Sequence, residues 1–291
     1  MKRLLRWIGI AVLSIAALAI VGLGIVYALS ERILTRTYPL PAVAVRIPAD
    51  PAELPEGRRL ATVHGCLRGC HGKQGEGEVM FDQPLIGRIV APNLTAAVRR
   101  YTDAQLVTII RHGLRPDGRS VVVMPAQEFG ILTDSDLGHI LAFLKSLPPA
   151  AGPAPSISLG PVARLGFATG KFKTAAQLIS SAVPPPEAAG DEAARGRYLA
   201  RSTCSECHGA DLRGDSNPDF TSPNLQVVAA YTPAAFTQLL RTGVPLGART
   251  LPTMGMAARE NLAHLTDAEI AALYTYLHGL AGGATAAAPG K

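Results

Sequence analysis

The stretch Cys204-Ser205-Glu206-Cys207-His208 constrains this chain more than any other. Two thiols with two residues between them, and a histidine directly after the second, form the spacing for covalent attachment of c-type haem. Each thiol adds across one haem vinyl group, and the adjoining histidine is held beneath the porphyrin as proximal ligand to the iron. A disulfide and half of a zinc site are the alternatives. Zinc needs a second ligand pair, yet the other cysteines, Cys66 and Cys70, sit in a similar pattern of their own. A disulfide gives no reason for His208.

Lys2, Arg3 and Arg6 precede an uncharged apolar run from Trp7 to Leu29, 23 residues long. That length spans a bilayer with some tilt. A secretory signal peptide is the alternative, with small residues at Ala28-Leu29-Ser30, but its apolar core is usually about 7–15 residues. Basic residues before the span place the N-terminus in the cytoplasm and the rest of the chain outside. The formal charge of +6 is concentrated here, since residues 1–48 hold six Lys/Arg and one acid. Residues 51–148 are nearly neutral and residues 191–280 hold seven Arg against nine acids. No folded region carries the basic stripe that a nucleic-acid partner requires.

After a proline-rich stretch (Pro39, Pro41, Pro48, Pro51, Pro55), the chain is an internal repeat. Gly57-Arg58-Arg59-Leu60-Ala61 matches Gly196-Arg197-Tyr198-Leu199-Ala200, and each leads into a cysteine pair and Cys-His-Gly. Pro92-Asn93-Leu94 matches Pro223-Asn224-Leu225. Tyr101-Thr102 and Tyr231-Thr232 open helices that end at Arg111/Gly113 and Arg241/Gly243, with Thr and Gly as start and stop signals. Leu132-Thr133-Asp134 and Leu265-Thr266-Asp267 begin two closing helices with leucine and isoleucine at helical spacing.

The order of helix, attachment motif, loop, short helix, loop and closing helix resembles class I c-type cytochromes, and the pair resembles membrane-anchored dihaem cytochromes of bacterial respiratory chains. The resemblance covers residues 55 to 280 and implies an all-α fold: two tandem class I cytochrome c-like domains after an N-terminal transmembrane helix. The divisions are an anchor at 1–30, an extended tether (or an arm packed on the first domain) at 31–54, domains at 55–148 and 191–280, an ordered connector at 149–190, and a disordered tail at 281–291. Such a protein carries two covalently attached haem c groups, one on Cys66, Cys70 and His71 and one on Cys204, Cys207 and His208.

A sixth iron ligand is expected from the loop before each closing helix. One offset aligns the two Tyr-Thr helices, Gly113 with Gly243, Arg119 with Arg249, and Met124 with Met254. A thioether at the equivalent place in each loop suits His/Met ligation. Met256, two residues on, is the alternative to Met254. Met80 lies too near His71 to cross to the opposite haem face, and His64, His112, His139, His264 and His278 lack repeat partners. His64, beside the attachment loop, is the one spare histidine placed for a ligand switch. The first motif departs from the common pattern by having three residues between its cysteines, and a loop-out at Gly69 accommodates the extra one. In class I cytochromes the proximal histidine donates to a loop proline carbonyl, which implies Pro92 for His71 (Pro84 competing) and Pro223 for His208. Arg119 and Arg249 are candidates to pair with haem propionates, or are solvated arginines.

The resemblance implies a carrier of single electrons on the periplasmic side of a bacterial inner membrane, with an oxidase, a dehydrogenase or a soluble cytochrome as redox partner. The alternatives are a cytochrome subunit of a membrane-bound dehydrogenase and, further off, a dihaem peroxidase or thiosulfate-oxidising enzyme. A peroxidase needs one iron to open, whereas both repeats supply a methionine. A cysteine-ligated thiosulfate enzyme needs a fifth cysteine, and the chain has four.

Overall fold

The computed structural model describes residues 2–68, 70–180, 191–216 and 221–283. Helix α1 (Lys2–Leu34) is followed by an extended arm, then α2 (Leu54–Val63), which runs into the first cysteine pair. Strands β1 (Glu78–Gln83) and β2 (Gly87–Ala91) lead to α3 (Leu94–Arg100), α4 (Asp103–His112), α5 (Ala126–Phe129) and α6 (Asp134–Ser146). The connector supplies β3 (Ser156–Leu159), α7 (Pro161–Ala168) and α8 (Ala175–Ser180). The second half holds α9 (Glu192–Thr203), α10 (Ser205–His208), a 3-10 turn at Leu225–Ala230, α11 (Pro233–Thr242), α12 (Pro252–Glu260) and α13 (Asp267–Gly283).

The architecture is mainly helical, with two departures from the sequence expectation. The first is a three-stranded antiparallel sheet in the order β1-β2-β3. It arises because the loop from His71 to Pro92 is six residues longer than its counterpart from His208 to Pro223, and the surplus pairs into a hairpin. The second concerns residues 31–54, which do not stand free as a tether. The N–H of Tyr38 donates to the Gly118 carbonyl at 2.9 Å, Thr37 bridges Arg119, and Val43, Val45 and Ile47 pack on the core. Proline and alternating valines suit an extended arm with one apolar face. The anchor helix continues to Leu34 and α13 takes in Ala281–Gly283, while the rest of the expected disordered tail, 284–291, and residues 181–190 of the connector lie outside the described residues.

Each half is built on one close helix crossing. α2 crosses α6 at Gly57, where an added Cβ would sit 2.1 Å from the His139 carbonyl oxygen and 2.8 Å from Phe143 Cβ. α9 crosses α13 at Gly196, where the same atom would meet the Ala272 carbonyl oxygen at 2.0 Å and Tyr276 Cβ at 2.6 Å. Leu60, Leu137, Ile140, Leu141 and Leu144 fill one crossing and Leu199, Ile270, Leu273 and Leu277 the other, all buried. Each closing helix is tied at its start by an arginine from the preceding repeat helix. Arg111 donates to the Leu132 carbonyl and to Asp134, each at 2.8 Å. Arg241 donates to the Leu265 carbonyl and pairs with Asp267 at 2.6 Å.

The two halves share one continuous apolar core. Across their seam, Arg59 donates to Glu269 at 2.7 Å, and Tyr198 donates its hydroxyl to Asp136. Arg59 and Tyr198 occupy the same position of the repeated Gly-Arg-X-Leu-Ala, and Asp136 and Glu269 the same position after the two Thr N-caps. The seam therefore has the approximate two-fold character of an isologous contact, each entry helix reaching the other half's closing helix. Arg195 adds a second cation to Glu269 at 2.9 Å.

Placing a methyl group at either crossing forces the helices apart. Gly57→Ala and Gly196→Ala are each expected to lower stability by about 1–3 kcal/mol, as overpacking does. Gly279→Ala, where nothing lies within 4 Å, should be neutral or slightly stabilising in the same thermal-unfolding series.

Candidate haem sites

In the second half, α9 ends at Thr203, Cys204 begins the turn, and α10 carries Glu206, Cys207 and His208. The N–H of His208 donates to the Cys204 carbonyl at 2.9 Å. Gly209 (φ 79°) then turns the chain, and the Gly214 N–H returns to the His208 carbonyl at 2.8 Å. This return brings the Pro223 carbonyl to 2.9 Å from His208 Nδ1. The first half repeats the arrangement: Gly77 N–H to His71 carbonyl at 2.7 Å, and His71 Nδ1 to the Pro92 carbonyl at 2.7 Å. Gly77 (φ 88°) and Gly214 (φ 95°) are required there, since an added Cβ would lie 2.7 and 2.6 Å from the Ala91 and Ser222 carbonyl oxygens. Pro84 lies in the exposed hairpin turn and has no part in this contact.

A carbonyl can only accept, so both Nδ1 atoms carry the proton and both Nε2 atoms keep a lone pair. Burial holds both imidazoles below their ordinary pKa of 6.5, against the opposing pull of the proline carbonyls. Two neutral imidazoles, each oriented by its second nitrogen, are what a metal or haem iron needs. All four cysteines are unpaired thiols. Burial pushes the thiol pKa of Cys66 up to about 12 and those of Cys70 and Cys204 up to about 11. Among the described residues no group of three or more His, Cys, Asp or Glu gathers to hold a bare metal ion. A covalently attached haem would supply the donors that these residues lack, with a histidine of this kind as its protein ligand.

The extra residue of the first motif is absorbed upstream of where the sequence suggested. The N–H of His71 donates to the Leu67 carbonyl at 3.1 Å, the same four-residue turn as Cys204 to His208. Leu67 thus takes the place of Cys204, and Cys66 sits one residue earlier, after Gly65 at φ 68°. Gly69 itself lies outside the described residues.

Met124 is half-buried in the loop just before α5, whereas Met254 is the third residue of α12 and packs half-buried against the core. Met256 is 52% exposed. Of the two methionines in that segment, Met254 is the one turned inward. Arg119 and Arg249 are exposed; Arg119 lies 3.7 Å from Asp117. Three spare histidines have structural partners: His64 Nδ1 faces the Ser202 carbonyl at 3.2 Å, His139 pairs with Glu53 at 2.9 Å, and His278 packs on Tyr274.

Sequence reasoning missed two carboxylates in the seam. Glu206 lies inside the second attachment motif, and its charge raises the thiol pKa of both Cys207 and Cys70 after burial has done most of the work. Glu128, on α5, hydrogen-bonds with Ser205, whose hydroxyl also donates to the Arg201 carbonyl. Burial pushes Glu128 up to about 7, with the Ser205 hydrogen bond opposing and the Glu206 charge adding. Neither residue has a repeat partner, which is why alignment of the two halves did not single them out.

Residues 191–277 match the family model described as "Cytochrome C oxidase, cbb3-type, subunit III". The chain carries a cytochrome c domain. Such a domain binds haem c covalently, and Cys204, Cys207 and His208 fall within the matched span. The chain is 28% identical over 270 residues to the "Fructose dehydrogenase cytochrome subunit" of Gluconobacter japonicus, covering 83% of this chain and 54% of the relative. It is 27% identical over 178 residues to the "Alcohol dehydrogenase (quinone), cytochrome c subunit" of Gluconacetobacter polyoxogenes and to that of Komagataeibacter europaeus, covering 57% of this chain and 38% of each. The chain thus spans about half, or less, of the length of these relatives.

The raised pKa of Glu128 has a stability signature. A folded pKa above the unfolded value means the folded state holds the extra proton, so the contribution falls as pH rises from about 4.5 to about 7 and is constant beyond. Glu128→Gln should therefore gain on the wild type across that window, by up to roughly 3 kcal/mol. Melting temperature against pH for both proteins reads it.

Proposed function

We propose that the chain is a membrane-anchored dihaem cytochrome that passes single electrons from a periplasmic dehydrogenase toward a membrane-side acceptor. The observation that carries this reading is the duplicated histidine site. His71 and His208 are oriented alike by Pro92 and Pro223, and each half provides a half-buried methionine, Met124 or Met254. Haem iron between histidine and methionine supplies reversible one-electron chemistry at raised potential.

The chain's own residues do the rest. Cys66, Cys70, Cys204 and Cys207 tether the macrocycles, so that no cofactor is lost between turnovers. The proline carbonyls fix tautomer and ring direction, and the leucine-lined crossings keep water from the histidines. The seam contacts of Arg59 with Glu269 and of Tyr198 with Asp136 hold together the two halves whose entry helices run into the motifs, a route for the electron from one half to the other. The fructose dehydrogenase subunit match extends over most of the chain and favours a dehydrogenase as donor. The oxidase-subunit model matched by residues 191–277 favours a second reading, an oxidase as acceptor or host complex. Both use the same site.

Two matched methionine ligands leave no vacancy for peroxide, so the dihaem peroxidase reading recedes. Met124→His and Met254→His are each expected to lower the potential of one haem and leave the other near its original value, while Met256→His changes neither. Redox titration of the purified holo-protein distinguishes these outcomes. Rapid haem reduction by an isolated membrane-bound sugar or alcohol dehydrogenase supports the donor assignment; reduction only through a soluble mediator contradicts it.

A further inference from the structure

The connector between the two halves holds a second contact with the membrane. α1 presents its apolar surface outward, with none of its most apolar 18-residue window buried. Its uncharged run ends at Leu29, and 23 residues at 1.5 Å each are about 35 Å, slightly more than a hydrocarbon core. Tyr27 and Ser30 are therefore at the bilayer surface, where tyrosine is favoured. α7 docks at that level. Arg164 on α7 pairs with Glu31 at 2.9 Å, donates to Ser30 Oγ at 3.1 Å, and lies 4.6 Å from the centroid of the Tyr27 ring. Ser30 is fully buried by this contact. The arginine is 18% exposed and neutralises the single acid of the anchor region.

α7 is thus fixed beside the exit of the span, and it exposes large apolar side chains there. Val162 and Leu165, one turn apart, are each 48% exposed, and Phe172, held on Gly166 after the next turn, is 49% exposed. Leu85 in the β1–β2 turn joins them, since the Val162 N–H donates to its carbonyl at 3.0 Å, and its side chain is also exposed. Lys171 and Lys173 flank Phe172 and are exposed. Apolar side chains rimmed by lysine, anchored at the bilayer surface, form an interfacial lipid contact.

We propose that Leu85, Val162, Leu165 and Phe172 insert among lipid headgroups, with Lys171 and Lys173 on anionic phosphates, so that the cytochrome halves are held at a fixed tilt instead of swinging on α1. The lipid surface is the occupant because the patch continues from a helix whose own apolar surface faces outward, and because the charges flanking Phe172, Lys171 and Lys173, are positive. This inference rests on α1 spanning the bilayer.

The test uses the full-length holo-protein in phosphatidylcholine vesicles, with and without phosphatidylglycerol, containing phospholipid with a photoactivatable group high on the acyl chain. After illumination and digestion, labelled peptides are mapped. Labelling is expected in Trp7–Leu29 and in 161–173, with the second increased by phosphatidylglycerol. Val162→Glu combined with Leu165→Glu should cut labelling of 161–173 about tenfold, with α1 labelling and the haem spectrum unchanged. Label in α1 but not in 161–173 overturns the contact and leaves the anchor standing. Absence of label in α1 removes the anchor itself, and the proposal with it. Label in 161–173 that is replaced by a protein cross-link in native membranes overturns lipid as the occupant.

Discussion

Everything in the soluble part depends on two helices being able to touch backbone to backbone. At Gly57 and Gly196 the entry helices lie against the carbonyls of the closing helices with no room for a single methyl group. That approach sets where the residues after each entry helix emerge. On one side come the cysteines and histidine, and on the other the loop that brings Pro92 or Pro223 back to it. Arg111 and Arg241 then pin the start of each closing helix, so the geometry is locked from both ends. A small domain of this kind has little apolar area of its own, and a buried haem would add to its core.

The second constraint is how the halves meet. Duplication gives two copies of the same surface, and they join by the same positions reciprocally: Arg59 to Glu269, Tyr198 to Asp136. The Glu269 carboxylate also accepts from the Thr266 N–H at the start of its own helix, which restricts its rotamer before the partner arrives, whereas the Thr133 N–H donates to the Tyr198 hydroxyl. Burying Glu269 is tolerable because two arginines and the Thr266 N–H satisfy it, and together they hold its pKa below the ordinary value. At Glu128 burial outweighs both the Ser205 hydrogen bond and the Arg201 charge, and its pKa is pushed up to about 7.

Much of this was legible in the sequence because it repeats. Capping threonines and terminal glycines occur twice at matched spacing, and each histidine is followed by its proline across a loop whose length differs between the halves. What did not repeat was not legible. The hairpin of β1 and β2 exists only in the longer first loop, and its third strand comes from the connector, whose short apolar pattern fits strand and helix equally. The arm over residues 37–47 looked like a tether because proline excludes helix but does not say whether extended backbone is packed. Met124 and Met254 align by number, yet one sits in a loop and the other in a helix, since local backbone follows neighbours such as Pro125 and Pro252 more than position in the repeat. Arg59 and Tyr198 were visible as the one mismatch in a matched motif, a signal for a contact that differs while its place does not.

The central claim is that both halves, not the second alone, hold haem. Unlike the regular motif at Cys204–His208, the first motif sets Cys66 one residue before the turn that ends at His71. Intact-mass measurement of the purified chain, followed by peptide mapping of each attachment site, tests this directly. The account predicts a mass increase of two haems, with His71- and His208-containing peptides each carrying one. A single haem confined to the peptide of Cys204 and Cys207 would contradict it.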